Sequence, residues 1–404
     1  LAMRHSPALS GMMLYDEMYD MGVTGLDKTH LKLFPAVRER RAAEALGKPV
    51  AKIAADFSKY VSRPASQRDP AALDLYLRCG QFMLHGWGDY NTRVADAARA
   101  VAPLARMGTY HRTWMTVGGA LGVTNGYPPD VFENLDIVAH VHYADNATGW
   151  VHSSIMVPGL RFGPHKPVWI NIPLTHEFRT RHNGEYQRHM AFAMLMQGAD
   201  GVSQYGLPLS FENGPNPGTV AGRETTRHLN REVLAPFGEL VTRTEPGYRG
   251  VAIVNTANQH LLSDSKRIAV ANQAEDLWIA CWRLGYPAVF LFEDAFAGSV
   301  SGYSLIFVPG IKFPDELPVQ IRDRLREAMA AGTKVVVEKG SELDLPGLIR
   351  LDTPLQDFYV RNYFPTWLDD ELNKIFDESR PTTDYLRAKL PELGIEPAAR
   401  GPFK

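Results

Sequence analysis

Two adjacent carboxylates, Asp16 and Glu17, close the apolar run Ser6-Pro7-Ala8-Leu9-Ser10-Gly11-Met12-Met13-Leu14-Tyr15. Side chains alternate along an extended strand, so Glu17 shares a face with Gly11, Met13 and Tyr15, while Asp16 shares the other with Met12 and Leu14. A carboxylic acid against a partly apolar wall such as Met13 and Tyr15 has its pKa raised, which suits general acid work near neutral pH. Further groups able to do chemistry follow later apolar runs: His111 and Arg112, His140, His142 and Asp145, Asn171, His176 and Glu177, and Gln204, Tyr205 and Glu212. Alternate histidines on one strand share a face, so His140 and His142 suit a second chemistry, a metal-activated water, if His111, His176 or Asp145 converge on them.

The elements that must position these groups have a regular rhythm. From residue 1 to about 245, short apolar runs at 9–15, 105–111, 135–143, 167–173 and 201–207 alternate with amphipathic stretches, the signature of βα units around a parallel sheet. An insertion rich in charge and helix formers covers 28–85. It is followed by a helix in which Val94, Ala97, Ala98, Val101 and Leu104 recur at the spacing of one buried face. In a (β/α)8 barrel the catalytic groups stand at the C-terminal ends of the strands, where the residues above fall.

Beyond the turn Glu245-Pro246-Gly247 the pattern changes. Buried strands are expected at 250–255, 288–292, 304–309 and 334–338, with helices at 274–284 and 318–331 that stop at Gly285 and Gly332. That is a small doubly wound, flavodoxin-like α/β domain at 246–345. The turn after its first strand, Asn255-Thr256-Ala257-Asn258, lacks the glycines that admit a pyrophosphate. The run Val308-Pro309-Gly310-Ile311 carries no thiol for amidotransfer, which leaves a scaffold or self-association role. Residues 346–404 form a C-terminal extension whose organisation the pattern does not define.

Composition narrows the partners. A chain of 404 residues with 45% hydrophobic residues, a formal net charge of −2 and no Lys/Arg run is a soluble globular protein without a nucleic-acid or anionic-membrane footprint. No apolar run approaches the roughly 20 residues that span a bilayer. The two cysteines, Cys79 and Cys281, define neither a disulfide framework nor a zinc site. Cys281 sits in a helical pattern with Leu277 and Leu284 and reads as a small buried hydrophobe. Nothing requires a cofactor, and either a cytoplasmic or a secreted location is compatible with the chain.

Residues 7–17 resemble the strand-four motif of clan A glycoside hydrolases, in which a His-Pro-led apolar run ends in Asn-Glu and the Glu is the general acid/base. The later order is similar to the family 42 β-galactosidases: 107–115 as strand five, 135–143 as strand six, 166–171 as strand seven, and Gly198-Ala199-Asp200-Gly201-Val202-Ser203-Gln204-Tyr205 as strand eight. Residues 251–339 resemble that family's trimerisation domain, most clearly at Gly302-Tyr303-Ser304-Leu305-Ile306-Phe307-Val308-Pro309 and 331–337. The resemblance implies a (β/α)8 barrel represented by strands four to eight, a carbohydrate substrate of β-galactoside type, a homotrimer or homodimer, and no cofactor or metal.

On this reading Glu17 is the acid/base and Glu177, on the loop Pro173-Leu174-Thr175-His176-Glu177, is the second carboxylate, preferred to Asp145 and Glu212. Asp16, His111, His142, Tyr143, Asn171 and Tyr205 bind substrate. Trp114 and Trp169 offer further rings on which a pyranose could stack, with core packing as the alternative for each. Three departures stand out. Asp16 replaces the usual Asn, and the nucleophile position counted three residues beyond Trp169 is Ile172. Strands one to three are expected before Leu1, so the chain reads as part of a longer polypeptide or as a barrel completed by another segment. A barrel that binds carbohydrate or supports an assembly without turnover is the non-enzymatic alternative.

Overall fold

The computed structural model describes residues 11–13, 47, 88–111, 128–141, 157, 166–173, 191–205 except 193 and 196, 224, 227–243, 250–259, 270–311, 317–355 and 380–398. Two five-stranded, wholly parallel sheets organise them. The first contains β1 (Gly11–Met13), β2 (Arg106–His111), β3 (Ile137–Val141), β4 (Val168–Pro173) and β5 (Gly201–Tyr205), paired in simple chain order. Each lies inside one of the five apolar runs of the sequence.

That order dictates where the helices go. A right-handed crossover to the next parallel strand always lands on the same side when the chain advances in one direction, so one face is covered by helices and the other is bare of them, although Ile137 and Ala139 on it are buried. The register identifies the two. Met107, Val138, Val168 and Ile170 are 1% exposed or less and pack with Ala95 and Ala102 of the flanking helical stretches, with Val131, Phe132 and Leu135, and with Ala191 and Met194. Alternation then gives the bare face to positions 11, 13, 106, 108, 110, 137, 139, 141, 169, 171, 173, 201, 203 and 205.

The N-terminal strand ends are held by a repeated clasp. The Asp136 N–H donates to the Met107 carbonyl at 2.7 Å, while the Asp136 carboxylate accepts the Met107 N–H at 2.7 Å. Asp200 repeats this on β4, its N–H donating to the Val168 carbonyl at 2.8 Å and its carboxylate accepting the Val168 N–H at 2.9 Å. Each aspartate extends the ladder by one step beyond the strand that follows it. Gly198, at φ 97°, makes the turn into the second clasp: the Ala199 N–H returns to the Met194 carbonyl at 3.0 Å, the left-handed helix stop that glycine permits.

The second sheet has β6 (Val251–Val254), β7 (Ala288–Leu291), β8 (Leu305–Val308), β9 (Lys334–Val337) and β10 (Ile349–Arg350), in the order β7-β6-β8-β9-β10. The chain runs one way from β6 to β7 and the other way from β8 onward, so right-handed crossovers place helices on opposite faces. Val251, Ile253, Phe290 and Phe307 pack with Leu277, Trp278 and Cys281 of helix Val270–Arg283 and with Leu386 and Leu390 of helix Arg380–Glu392. Ala252, Val254, Ile306, Val308, Val335 and Val337 pack with Ile321, Leu325 and Ala328 of helix Val319–Ala330. Gly332, at φ 98°, ends that helix as expected. The sheet runs past residue 345, because β10 pairs with β9, and helix Arg380–Glu392 shares its core. Two-residue β10 and a helix carrying Pro391 are weak local signals, which is why the sequence left this region undefined.

Candidate active site

The register fixes what each strand end can present. The upper rungs of the bare face bring together Val141, Asn171 and Ser203, and then Pro173 and Tyr205. Asn171 and Tyr205, both expected to bind substrate, therefore occupy bare-face positions at the C-terminal ends of neighbouring strands. Ser203 joins them. The sequence reading passed over it, although its alternation with Tyr205 was the signal that could have found it. His111 is in register with His140, and both positions alternate with Met107, Thr109 and Val138 on the helix-packed face. The bare-face position beside His111 is Tyr110.

The same alternation revises the argument about Ile172. Position 172 pairs with Gln204 and alternates with Ile170, which is fully buried, so it falls on the helix-packed face. Position 172 is not one from which a carboxylate would address the bare face, whatever residue it held. Among the described strand residues, no bare-face position carries Asp or Glu. Asp16, Glu17, His142, Tyr143 and Glu177, with most of the 28–85 insertion, lie outside the described residues.

Lower in the sheet, Trp169 stands between Ala139 and Gly201 in one rung. It is 36% exposed, and a methyl group on Gly201 would lie 2.9 Å from the indole Cδ1 and 3.0 Å from Nε1. The ring thus leans over β5 because that residue is glycine. At about 3.3 Å per residue, its rung is roughly 13 Å below the strand ends. Trp169 is not part of the rim itself.

Electrostatic features near this sheet are structural. The Lys166 ammonium donates to the carbonyls of Phe132 and Glu133, both at 2.6 Å, and caps the short helix Pro128–Phe132. Burial lowers its pKa, against the pull of Asp136 and Glu133. Arg99 donates to Asp136 at 3.1 Å and to the Asn134 carbonyl at 2.7 Å, steadying the first clasp. A cavity of about 150 Å³ lies behind β5, lined by Ala191, Leu195, Val202, Leu229, Asn230 and Leu234. Val202 belongs to the helix-packed face, so this cavity is remote from the strand ends' bare side. Among the described residues there is no cluster of three or more His, Cys, Asp or Glu that could hold a metal ion. None of their helices is long and apolar enough to cross a membrane.

Comparison with solved structures gives this wall its context. A cold-adapted β-galactosidase from Rahnella sp. R3 superposes with a TM-score of 0.56 at 14% identity, over 83% of this chain and 52% of that one. The chain has the fold of these barrel enzymes. The β-galactosidase of the psychrophilic Marinomonas ef1 matches with a TM-score of 0.53 at 13% identity, over 83% and 56% of the two chains. A catalytic mutant of Gan42B, a GH42 β-galactosidase from G. stearothermophilus, matches with a TM-score of 0.51 at 14% identity, over 80% and 51%. The chain therefore spans about half the length of these enzymes. No family model matches, and no curated protein matches in sequence.

Proposed function

We propose that the protein is a glycoside hydrolase that cleaves an O-glycosidic bond, with Glu17 as general acid/base and Glu177 as its partner. The observation that carries this is the bare face of the first sheet, a parallel wall whose C-terminal strand ends all lie at one edge, in a fold shared with β-galactosidases. Glu17 has the parity of Gly11 and Met13, which are bare-face positions. Glu177 follows β4 by four residues. β1 and β4 are third neighbours, roughly 14 Å apart along the wall. A retaining outcome requires about 5 to 5.5 Å between carboxyl groups and an inverting one roughly 6.5 to 9.5 Å.

On this reading Tyr143, Asn171 and Tyr205 line the substrate site, whereas Asp16, His111 and His142, also expected there, have the parity of the helix-packed positions 12, 109 and 140. The substrate is a β-galactoside or a close analogue, as the neighbours' names suggest. The second sheet has the 2-1-3-4-5 order of flavodoxin-like folds and serves self-association, as a trimer or dimer.

Glu17→Gln lowers kcat/KM for p-nitrophenyl β-D-galactopyranoside by about 10²- to 10⁴-fold while the melting temperature is unchanged. An undiminished rate removes Glu17 as the acid. The metal-dependent reading is weakened by position 140, which lies on the helix-packed face. Activity lost to a chelator and restored by zinc reinstates it. The absence of carboxylates from the described bare-face positions favours a second reading, a wall that binds sugar without turnover. Saturable sugar binding without hydrolysis of any aryl glycoside supports it.

A further inference from the structure

We infer that the cavity behind β5 is a binding site for a small amphiphile, a benzene-sized apolar body that carries one hydrogen-bonding group. It lies on the helix-packed side of the first sheet, away from the bare face, and does not depend on the glycosidase reading. Protein interiors are packed almost as densely as crystals, and voids larger than a water molecule are few. This one measures about 150 Å³, the volume at which a dry apolar cavity takes up a benzene-sized guest. The helical layer does not close over β5 here. Met107, Thr109, Val138, Val168 and Ile170 on the same face are at most 1% exposed, whereas Val202 is only partly buried.

One side of the cavity is built by an unusual turn. Residues Leu229–Leu234 form a π-helix that continues as the α-helix Ala235–Arg243, and the Ala235 N–H donates to the Asn230 carbonyl five residues back. In an α-helix, at about 100° per residue, positions five apart diverge by roughly 140°. A turn closed by i→i+5 bonds brings them onto one side instead, and Leu229 and Leu234 both line the cavity. Such turns are rare and recur at functional sites.

Ala191, Leu195 and Val202 supply the rest of the apolar lining, and Asn230 is the one polar residue among the described lining residues. Ala191 and Leu229 are buried while Asn230 is exposed, so the depth is apolar and the amide stands at the mouth. An apolar interior with a single amide at its opening orients a ligand by its hydroxyl.

The probe is phenol, with toluene as its counterpart of equal size lacking the hydroxyl. Binding to the whole chain is followed by NMR of methyl-labelled leucine and valine. Phenol binds saturably and shifts the methyl signals of Leu195, Val202, Leu229 and Leu234. Ala191→Leu fills the cavity and weakens phenol by about tenfold or more, with a melting temperature equal to or above the wild type. Val202→Ile adds one methylene and weakens it about threefold, a milder variant that serves if the larger residue prevents folding. In Asn230→Leu the ratio of phenol to toluene affinity falls about fivefold.

A wild type with no saturable shift for either probe overturns the site, as do shifts confined to other methyl groups. Wild-type affinity in both Ala191→Leu and Val202→Ile overturns it too. An unchanged phenol-to-toluene ratio in Asn230→Leu overturns the assignment of an amphiphile. Shifts of these methyl signals with protein concentration alone would show a second copy of the chain closing the opening, and would remove the ligand.

Discussion

Both sheets are five-stranded and parallel, yet one advances in a single direction and the other reverses at its first strand. The reversal in the second sheet puts helices on both faces, and every residue of β6 and β8 is buried. Its strands are accordingly continuous apolar runs, Val-Ala-Ile-Val and Leu-Ile-Phe-Val. The first sheet never reverses, so one face stays free of helices and its strands carry mixed residues such as Gly-Val-Ser-Gln-Tyr. Winding direction alone thus separates a sheet covered by helices on both faces from one whose crossovers all lie on a single face.

Substitutions in the two sheets sharpen this contrast. Under the proposed function the largest effect falls at Glu17, where Gln removes about 10²- to 10⁴-fold of the rate on an aryl glycoside and leaves the circular dichroism unchanged. A loss of structure instead would make the residue part of the core. In the second sheet, Phe307→Ala empties a fully packed site and costs about 3–5 kcal/mol in urea denaturation. Substrate affinity of the protein that remains folded is unaltered. A Phe307 variant of normal stability would break the claim that this sheet is buried on both faces.

Asp136→Ala and Asp200→Ala each remove a carboxylate that accepts a backbone N–H, for a loss of about 1–2 kcal/mol. The two losses add, because the clasps hold different strand pairs. Marked non-additivity in the double variant would show that they act as one unit.

The smallest effect concerns Cys281, whose thiol is pushed up to about 12 by complete burial. A raised folded pKa means that this contribution to stability is whole below the ordinary thiol range near 8.5 and is lost as pH rises towards about 12. Cys281→Ala flattens that part of the alkaline stability curve, and in native protein the thiol stays unreactive to iodoacetamide. Rapid labelling of the folded protein would contradict the packing of helix Val270–Arg283.

How much of this the sequence revealed depended on the kind of signal. Strands and helices with strong periodicity were legible, and both helix stops at Gly285 and Gly332 have the expected positive φ. The helix Arg380–Glu392 was not, because its anchoring residues Leu386 and Leu390, with Ile395 just beyond it, are meaningful only against Trp278 and its neighbours, about a hundred residues away. For the site, residue types were readable and facing was not. Counting from Trp169 singled out Ile172, but only the pairing of β4 with β3 and β5 assigns that position to the helix-packed face. Tyr110, Ser203 and the Trp169–Gly201 contact depend on the same cross-strand register, which no linear spacing contains.

The aspartate clasps have an evolutionary corollary. Asp136 and Asp200 lock the alignment of neighbouring strands from the end opposite the rim, so the geometry of the wall owes little to the segments that follow each strand. Those segments can be lengthened, shortened or exchanged while the foundation stays in place. A scaffold anchored in this way is suited to acquiring new substrates by grafting rim loops, with the wall itself inherited unchanged.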